Sequence, residues 1–310
     1  MKQTVRPHSM RAWILAARPK TLPAAAVPVL LGCALALAEG GFRWIPALLC
    51  LLFALLMQID ANLINDLFDY RKGSDRKDRL GPERACAQGW ISPRAMKRGI
   101  ALITATACAT GLCLLFYGGT ELIVVGAVCV VFAFLYTAGP YPLAYHGWGD
   151  GLVIVFFGFV PVGVTYYVLC HGWTTEVTVV SLACGMVIDT LLMVNNYRDR
   201  EQDAQSGKRT LVVRFGPKAG SLAYLTLGIV ASGLCLTLLS GGYFAAGLLP
   251  LAYLPFHLAA WRRMVRIREG RELNLILGKT SRNILIFGIL LTAGLILRAA
   301  PAERSAGHGI

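Results

Sequence analysis

Two groups of asparagine and aspartate residues recur at helical spacing in a chain that is otherwise strongly apolar. The first group consists of Asn62, Asn65, Asp66 and Asp69, and Asp75 follows it. The second group consists of Asn195, Asp199 and Asp203. Residues three to four positions apart share one face of a helix, so each group presents its polar side chains together. Each half of the chain therefore contributes one acidic helix end.

The chemistry that such side chains perform is the binding of a hard cation. Carboxylate and amide oxygens are the ligands that Mg²⁺ takes, usually through one or two carboxylates together with waters and substrate phosphates. Two groups therefore predict two Mg²⁺ sites that share the diphosphate of a lipid substrate. The expected metal ligands are Asn65, Asp66, Asp69, Asp75, Asp199 and Asp203, and those expected to be catalytic are Asp66, Asp69, Asp199 and Asp203.

Basic residues flank both groups and are candidates for neutralising the remaining diphosphate oxygens. Those beside the first group are Lys72, Arg76, Lys77, Arg79 and Arg84, and those beside the second are Arg198, Lys208 and Arg209. A role in setting membrane topology explains each of them equally well. The residues expected to contact the diphosphate are Lys72, Arg79, Arg84 and Lys208, together with the amides of Asn62, Asn65 and Asn195.

A plainer interpretation is that the acids only mark the cytoplasmic ends of two helices. Helix C-termini, however, favour cations over carboxylates, and a solvated end has no need of paired asparagines. An ionisable residue in a membrane helix costs about 2.5–3.5 kcal/mol on insertion scales, so several together need a cation or a polar cavity. Asp60 and Asp189 lie earlier in the same stretches without a clear role, and Asp150 is interpreted as a helix N-terminal charge.

The elements that must position these groups are membrane helices. The chain has 56% hydrophobic residues, 15% charged residues and a mean hydropathy of +0.58, which is too apolar for a soluble domain. A helix needs about 20 apolar residues to cross a bilayer. Nine such stretches are predicted, at 22–39, 44–66, 98–117, 120–138, 150–170, 174–197, 219–239, 242–261 and 283–299. We expect an all-α polytopic membrane protein that forms one domain over residues 1–310.

The formal net charge of +13 follows from topology rather than from nucleic-acid binding. With the N-terminus in the cytoplasm, 27 of the 30 Lys and Arg residues fall on the cytoplasmic side of the nine helices. This asymmetry is the positive-inside pattern, and an odd number of helices places the C-terminus outside. The start of the chain superficially resembles a signal peptide, but Pro23 and Pro28 suit a retained helix better. We therefore predict an integral protein of a bacterial inner membrane.

These residues resemble the motifs of the UbiA superfamily of intramembrane prenyltransferases, and within it those of the dihydroxynaphthoate polyprenyltransferases of menaquinone synthesis. The resemblance covers nearly the whole chain. Its motifs are Arg18-Pro-Lys-Thr-Leu-Pro-Ala-Ala, Asn65-Asp-Leu-Phe-Asp69 with Lys72-Gly-Ser-Asp75, Arg79-Leu-Gly-Pro-Glu-Arg84, Tyr136-Thr-Ala-Gly-Pro-Tyr141, Gly149-Asp150, and Asn195-Asn-Tyr-Arg-Asp199 with the segment 207–216. The aspartate pairs indicate the superfamily, whereas the segments 18–21 and 72–75 favour the naphthoate branch.

The resemblance implies nine helices around a central cavity that opens sideways to lipid, with an isoprenoid diphosphate held by Mg²⁺ near the cytoplasmic surface. The positions that match the two family motifs are Asn65, Asp66, Asp69 and Asp75 for the first, and Asn195, Asp199 and Asp203 for the second. The implied reaction transfers a polyprenyl group to 1,4-dihydroxy-2-naphthoate and releases diphosphate and CO₂. Departure of diphosphate leaves an allylic carbocation, which a dry apolar cavity protects from water.

The motifs specify the aromatic acceptor less well than the diphosphate site. Tyr136, Tyr141 and Arg18 are candidates for contacts to it, although a membrane-interface or topology role explains each equally well. The alternative within the superfamily is a transferase that acts on a hydroxybenzoate, homogentisate or chlorophyllide. The alternative outside it is a transporter, which predicts acids at broken helices near the bilayer midplane, whereas these acids cluster at helix ends on one side.

Overall fold

The computed structural model describes residues 5–75 and 79–299, and the regular elements within them are helices. Arg76 and Lys77, two of the basic residues named as candidates for neutralising the diphosphate, lie outside the described residues. The helices in chain order are α1 (Met10–Ala17), α2 (Pro23–Ala38), α3 (Trp44–Arg71), α4 (Pro93–Gly118), α5 (Leu122–Leu135), α6 (Gly149–Cys170), α7 (Thr175–Gln205), α8 (Leu211–Leu239), α9 (Phe244–Ile267) and α10 (Leu273–Ala299).

Each of the nine predicted spans corresponds to one of the helices α2 to α10. In the part of the chain that the structure describes, seven helices are long and apolar enough to cross a membrane, namely α3, α4 and α6 to α10. The segments Met10–Thr21 and Pro23–Ala38 meet at 51° and together form an eighth candidate. Helix α5 has only 14 residues, fewer than a bilayer requires. The prediction of an all-helical polytopic protein is confirmed, and nine spans are compatible with the structure when α5 is counted as one.

Threonine hydroxyls cap the N-termini of two helices, α7, which carries the second acidic group, and α8, which follows it. At the start of α7 the hydroxyl of Thr174 accepts a hydrogen bond of 3.3 Å from the backbone N–H of Val177. At the start of α8 the hydroxyl of Thr210 accepts one of 3.3 Å from the N–H of Val213. Each bond satisfies one of the amides that a helix start leaves unpaired. The cap at Thr210 fixes where the loop after α7 turns into α8.

Glycines allow α6 to pack closely against both α2 and α7. A Cβ atom at Gly158 would lie 2.3 Å from the carbonyl oxygen of Ser181, and one at Gly32 would lie 2.6 Å from that of Val162. Lipid provides no hydrophobic driving force between membrane helices, so their association depends on close packing. Small residues allow that close packing. The middle of α6, Val155–Gly163, is π-helical, a form that is frequent at functional sites.

Four apolar clusters hold the described part of the bundle together, and the two largest include residues of α7 and of α3. The larger lies among α2, α6, α7, α8, α9 and α10 and includes the fully buried Leu35 and Leu291. The smaller joins α1, α3 and α4 and includes the fully buried Ile64 and Met96. Because α3 and α7 each belong to one of these clusters, the acidic ends of both helices are held in fixed positions.

Candidate active site

Two adjoining cavities lie inside the bundle. The larger has a volume of about 300 Å³ and is lined mainly by apolar side chains of α2 to α7. The smaller has a volume of about 160 Å³ and is lined by the polar ends of α3 and α7 and by neighbouring loops. The residues that line both cavities, which we call the junction, are Arg18, Asn65, Tyr136, Leu192 and Asn195. A single molecule with a charged head and an apolar tail is accommodated by cavities that meet in this way.

The first acidic group reaches the polar cavity through Asp69 and Asp75. The carboxylate of Asp69 accepts a hydrogen bond of 3.0 Å from the phenol of Tyr145. Asp75 lies after the end of α3, where it pairs with the guanidinium of Arg79 and, at 3.3 Å, with Nε of Arg84. All of these side chains line the polar cavity. The structure thus brings together the predicted residues Asp69, Asp75, Arg79 and Arg84.

Asp66 lies elsewhere, although it was predicted to be a catalytic metal ligand. It is 2% exposed and is not among the residues that line either cavity. One carboxylate oxygen accepts a hydrogen bond of 2.7 Å from the N–H of Ala85, and the other accepts one of 2.8 Å from the N–H of Cys86. Because both oxygens are used in this way, Asp66 anchors the loop that carries Arg79 and Arg84 instead of facing the substrate.

Asn62 lines the apolar cavity, but its hydrogen bonds go to the break between α1 and α2. Its Nδ2 donates to the carbonyl oxygen of Ala17 and to Oγ1 of Thr21, both at 3.0 Å. Its Oδ1 accepts a hydrogen bond of 3.3 Å from the guanidinium of Arg18. Arg18 has a left-handed backbone conformation, with φ of 56°, that is uncommon for a residue with a side chain. Asn62, predicted as a substrate contact, therefore positions Arg18 at the junction.

The second acidic group lies at the C-terminal end of α7. Asn195 lines both cavities, whereas Asp199 and Asp203 line only the polar one. Arg198 donates to the two carboxylate oxygens of Asp199 at 2.7 and 2.6 Å, and to Oδ1 of Asn195 at 3.0 Å. Arg79, from the loop after α3, lies 3.9 Å from Asp199. This ion pair connects the two acidic groups across the polar cavity.

Lys208 connects the two acidic groups a second time, because its Nζ lies 3.9 Å from Asp69 and 3.6 Å from Asp203. Burial opposes its charge, but these carboxylates outweigh burial and raise the pKa of Lys208. Tyr145 lies against two ammonium groups, with Nζ of Lys72 at 4.6 Å and Nζ of Lys208 at 4.9 Å from its ring centre. Burial, together with Asp69, raises the pKa of Tyr145 to about 12, so its phenol stays protonated at neutral pH.

Some predicted residues do not line either cavity. Tyr141 is 56% exposed and stacks on His146, with 3.5 Å between ring centres. Lys72 donates a hydrogen bond of 2.6 Å to the carbonyl oxygen of Thr137. The side chain of Arg209 is exposed. The structure does not bring Tyr141, Lys72 or Arg209 into the lining of the polar cavity. Their directions could not be predicted from helical phase, because all three lie beyond the regular helices.

Sequence reasoning missed Tyr145 and Gln202, which both line the polar cavity. Gln202 follows Asp199 by three residues on α7, so helical phase was a sufficient signal for it. Its Oε1 accepts a hydrogen bond of 3.4 Å from the backbone N–H of Leu80, in the loop after α3. Tyr145 lies in the loop between α5 and α6, where no periodic signal distinguishes it from the nearby Tyr141.

The polar cavity suits a metal ion that is bound together with a substrate. Within residues 5–75 and 79–299, no three His, Cys, Asp or Glu side chains are gathered closely enough to hold a metal ion by themselves. Five carboxylates nevertheless line this one cavity, those of Asp69, Asp75, Asp199 and Asp203 and that of Asp150 at the start of α6, which the sequence suggested only as a helix N-terminal charge. Mg²⁺ commonly takes only one or two carboxylates and completes its shell with water and phosphate oxygens. The donor set therefore fits Mg²⁺ accompanied by a phosphate ligand.

The fold and the site define a class of protein, a helical membrane protein with a charged cavity that opens into an apolar one. The sequence matches the UbiA prenyltransferase family over residues 25–275, and the chain belongs to that family. The 1,4-dihydroxy-2-naphthoate octaprenyltransferase of Escherichia coli strain K12 is 34% identical over 295 residues, which cover 93% of this chain and 96% of that protein. The protein of the same name from Mycobacterium tuberculosis strain H37Rv is 34% identical over 288 residues, which cover 93% of this chain and 97% of that protein.

A solved structure shares the fold. A UbiA homolog from Archaeoglobus fulgidus bound to GPP and Mg²⁺ superposes with a TM-score of 0.60 at 18% sequence identity. The superposition covers 92% of this chain and 99% of that one. At this level of identity the likeness concerns the fold alone. The UbiA-type helical architecture that the motifs imply is confirmed.

Proposed function

We propose that this chain transfers a polyprenyl group from a polyprenyl diphosphate to 1,4-dihydroxy-2-naphthoate and releases diphosphate and CO₂, a step of menaquinone synthesis. The proposal is supported by the E. coli and M. tuberculosis relatives of that name, which align over 93% of this chain. The observation that carries it is the junction, where a cavity of carboxylates and cations opens into an apolar cavity. This arrangement matches a substrate with a diphosphate head and a hydrocarbon tail.

The diphosphate head belongs in the polar cavity. Arg79, Arg84 and Lys208 line that cavity and carry fixed positive charge. Charged hydrogen bonds from guanidinium and ammonium groups to phosphate oxygens are among the strongest available to proteins. These cations pair with Asp75, Asp199 and Asp203, so their charges are already held in place.

The carboxylates of the same cavity would repel a diphosphate unless a cation neutralised them. We therefore propose that Mg²⁺ is held there with the substrate by Asn65, Asp69, Asp75, Asp199 and Asp203. Bound Mg²⁺ supplies positive charge that stabilises the diphosphate as it leaves. Support comes from the A. fulgidus homolog, which is known bound to GPP and Mg²⁺. Asp66 is absent from this set because Ala85 and Cys86 use both of its oxygens.

The hydrocarbon tail belongs in the apolar cavity, which aromatic side chains such as Phe132 and Phe156 line. When the bond between C1 of the chain and its oxygen breaks, the electron pair leaves with diphosphate and C1 becomes an allylic cation. The surrounding apolar walls exclude the water that would otherwise capture this cation. The ring carbon that bears the carboxylate then forms the new bond to C1, and loss of CO₂ returns electrons to the ring.

The acceptor belongs at the junction, where C1 of the isoprenoid has to meet it. The guanidinium of Arg18 lines both cavities and is suited to hold the acceptor carboxylate. Tyr136 also lines both, so its phenol is available to orient the ring. Holding both reactants in one geometry removes much of the entropic cost of their encounter.

The test uses the purified protein in detergent with a polyprenyl diphosphate, Mg²⁺ and dihydroxynaphthoate labelled in its carboxyl group. We expect label to appear as CO₂ in a one-to-one ratio with prenylated product. Release of label without prenylation contradicts the proposed reaction. Prenylation of hydroxybenzoate alone, with its carboxylate retained, would assign the chain to a different acceptor while leaving the diphosphate site unaffected.

A further inference from the structure

A buried carbonyl oxygen in the apolar cavity lacks a hydrogen-bond partner. Gln58 lies on α3, is 8% exposed and lines the apolar cavity but not the polar one. Within the described residues, its Oε1 is buried and receives no hydrogen bond. A buried carbonyl that has no donor costs free energy, and most such groups in proteins are paired. This exception lies in the wall of the cavity that the substrates would enter.

The hydrogen bonds around Thr21 fix the orientation of the Gln58 amide. The hydroxyl of Thr21 donates its one hydrogen to the carbonyl oxygen of Arg18 at 2.9 Å. It therefore can only accept from its other neighbours, Nε2 of Gln58 at 3.2 Å and Nδ2 of Asn62 at 3.0 Å. Rotating the Gln58 amide by half a turn would require the Thr21 hydroxyl to give up its hydrogen bond to the carbonyl oxygen of Arg18. In the structure Nε2 faces Thr21, and Oε1 is the atom left over.

Gln58 and Arg18 are connected through Asn62. Gln58 precedes Asn62 by four residues on α3, which corresponds to about 6 Å along the helix axis. Asn62 bonds the guanidinium of Arg18, which lines both cavities, whereas Gln58 lines only the apolar one. An aromatic ring whose carboxylate lies at Arg18 therefore has Gln58 within reach of its other substituents.

Only one of the two proposed substrates can donate a hydrogen bond to Oε1 of Gln58. A polyprenyl chain has no hydrogen-bond donor, and an ionised diphosphate offers only acceptors. The hydroxyl groups of a dihydroxy aromatic acid are donors. We propose that Oε1 of Gln58 accepts a hydrogen bond from a ring hydroxyl of the aromatic acceptor, an inference that rests on the proposed function. Gln58 then selects hydroxylated acceptors, while Arg18 binds the carboxylate.

The experiment compares wild type with Gln58→Met, which keeps the length of the side chain and removes the carbonyl oxygen. The probes are the KM of dihydroxynaphthoate and the inhibition constants of 1-hydroxy-2-naphthoate, 4-hydroxy-2-naphthoate and 2-naphthoate, measured as competitors. We expect Gln58→Met to weaken binding of dihydroxynaphthoate and of at least one monohydroxy analogue about tenfold. Binding of 2-naphthoate, which has no hydroxyl, and the KM of the polyprenyl diphosphate should stay unchanged.

The matched control is Thr21→Ser, which removes a methyl group from the cavity wall but keeps the hydroxyl that holds Nε2 and so keeps Oε1 of Gln58 in place. It should affect the hydroxylated and unhydroxylated ligands alike, because any loss comes from a disturbed cavity wall. Gln58→Leu serves as a second deletion of the oxygen, and both Gln58 variants should elute as wild type in size-exclusion chromatography.

Equal weakening of 2-naphthoate and the hydroxylated ligands by Gln58→Met and Gln58→Leu would overturn the proposal, since Oε1 would then bind water or only support the wall. No effect on any ligand would overturn it as well. Failure of the proposed function gives a different result, namely a wild-type protein that prenylates none of the naphthoates. The inhibition constants remain measurable against whatever acceptor the wild type uses, so the two outcomes are separable.

Discussion

The phenol of Tyr145 donates a 3.0 Å hydrogen bond to Oδ1 of Asp69, although the two residues lie 76 positions apart in the chain. The same phenol lies 2.6 Å from the hydroxyl of Ser74. Tyr145 thus links the loop between α5 and α6 to the end of α3. Because its pKa is raised to about 12 by burial and by Asp69, it acts as a hydrogen-bond donor throughout the physiological pH range.

Replacing this phenol tests whether it orients the carboxylate. We expect Tyr145→Phe to lower kcat/KM about tenfold, because a hydrogen bond to a charged group is lost while the ring remains between Lys72 and Lys208. The control is Tyr141→Phe, an exposed tyrosine in the same loop that should leave kcat/KM unchanged. Equal effects of the two substitutions would contradict a specific role for the Tyr145 phenol.

The neighbouring aspartates of the first motif should respond differently to the same substitution. Asp66→Asn places an amide NH₂ against a backbone N–H of Ala85 or Cys86 and should lower the free energy of unfolding by about 1–3 kcal/mol. Asp69→Asn should abolish turnover and leave thermal stability close to that of wild type. Thermal unfolding in detergent and prenyltransferase assays measure both properties. An inactive Asp66→Asn protein with unchanged stability and an altered Mg²⁺ requirement would restore Asp66 as a metal ligand.

Helical phase predicted part of this site because α3 and α7 are long and regular. Asp199 and Asp203 lie four residues apart on α7 and both line the polar cavity. Phase cannot distinguish Asn65 from Asp66, since consecutive residues of a helix point about 100° apart and either one fits the pattern. The choice depends on how α3 is rotated in the bundle, and that rotation places Asp66 against the amides of Ala85 and Cys86.

The loop residues of the site were beyond the reach of sequence patterns for a related reason. Tyr141 and Tyr145 lie four residues apart in a segment without helical regularity, and only the second lines the polar cavity. Gln58 is also hard to recognise, because a single amide in an apolar helix resembles an ordinary interhelical contact. Its unpaired oxygen becomes evident only when the hydrogen bonds of Thr21 are known.

The orientation in the membrane is the third prediction, and it rests on the distribution of basic residues. Nine spans with a cytoplasmic N-terminus would place 27 of the 30 Lys and Arg residues on one side, so we expect the loops that carry Arg79 and Lys208 to face the cytoplasm. Reporter fusions after Gly89 and after Gly119, on either side of α4, should report opposite sides, with the former cytoplasmic. A fusion after Ile310 should report the side opposite to Gly89. The same side for Gly89 and Ile310 would exclude an odd number of spans.

Removal of divalent cations is the last prediction, and it follows from the charges in the polar cavity. Five aspartates line this space, and a diphosphate that enters it brings further negative charge; they are Asp69, Asp75, Asp150, Asp199 and Asp203. Arg79, Arg84 and Lys208 offset only part of this charge, because each also neutralises a carboxylate. We expect excess EDTA to lower turnover about a hundredfold or more, and added Mg²⁺ to restore it.

Two further measurements separate this effect from unfolding. Thermal stability in detergent should be the same with and without EDTA, because the helices are held by apolar clusters whose buried residues do not line the polar cavity. A conservative change of one carboxylate, Asp203→Asn, should lower turnover and raise the Mg²⁺ concentration needed for half-maximal activity. Full activity in excess EDTA would show that the side-chain cations Arg79, Arg84 and Lys208 neutralise the diphosphate without a metal ion. In that case Lys208, which lies between Asp69 and Asp203, would have to supply the charge assigned to the metal.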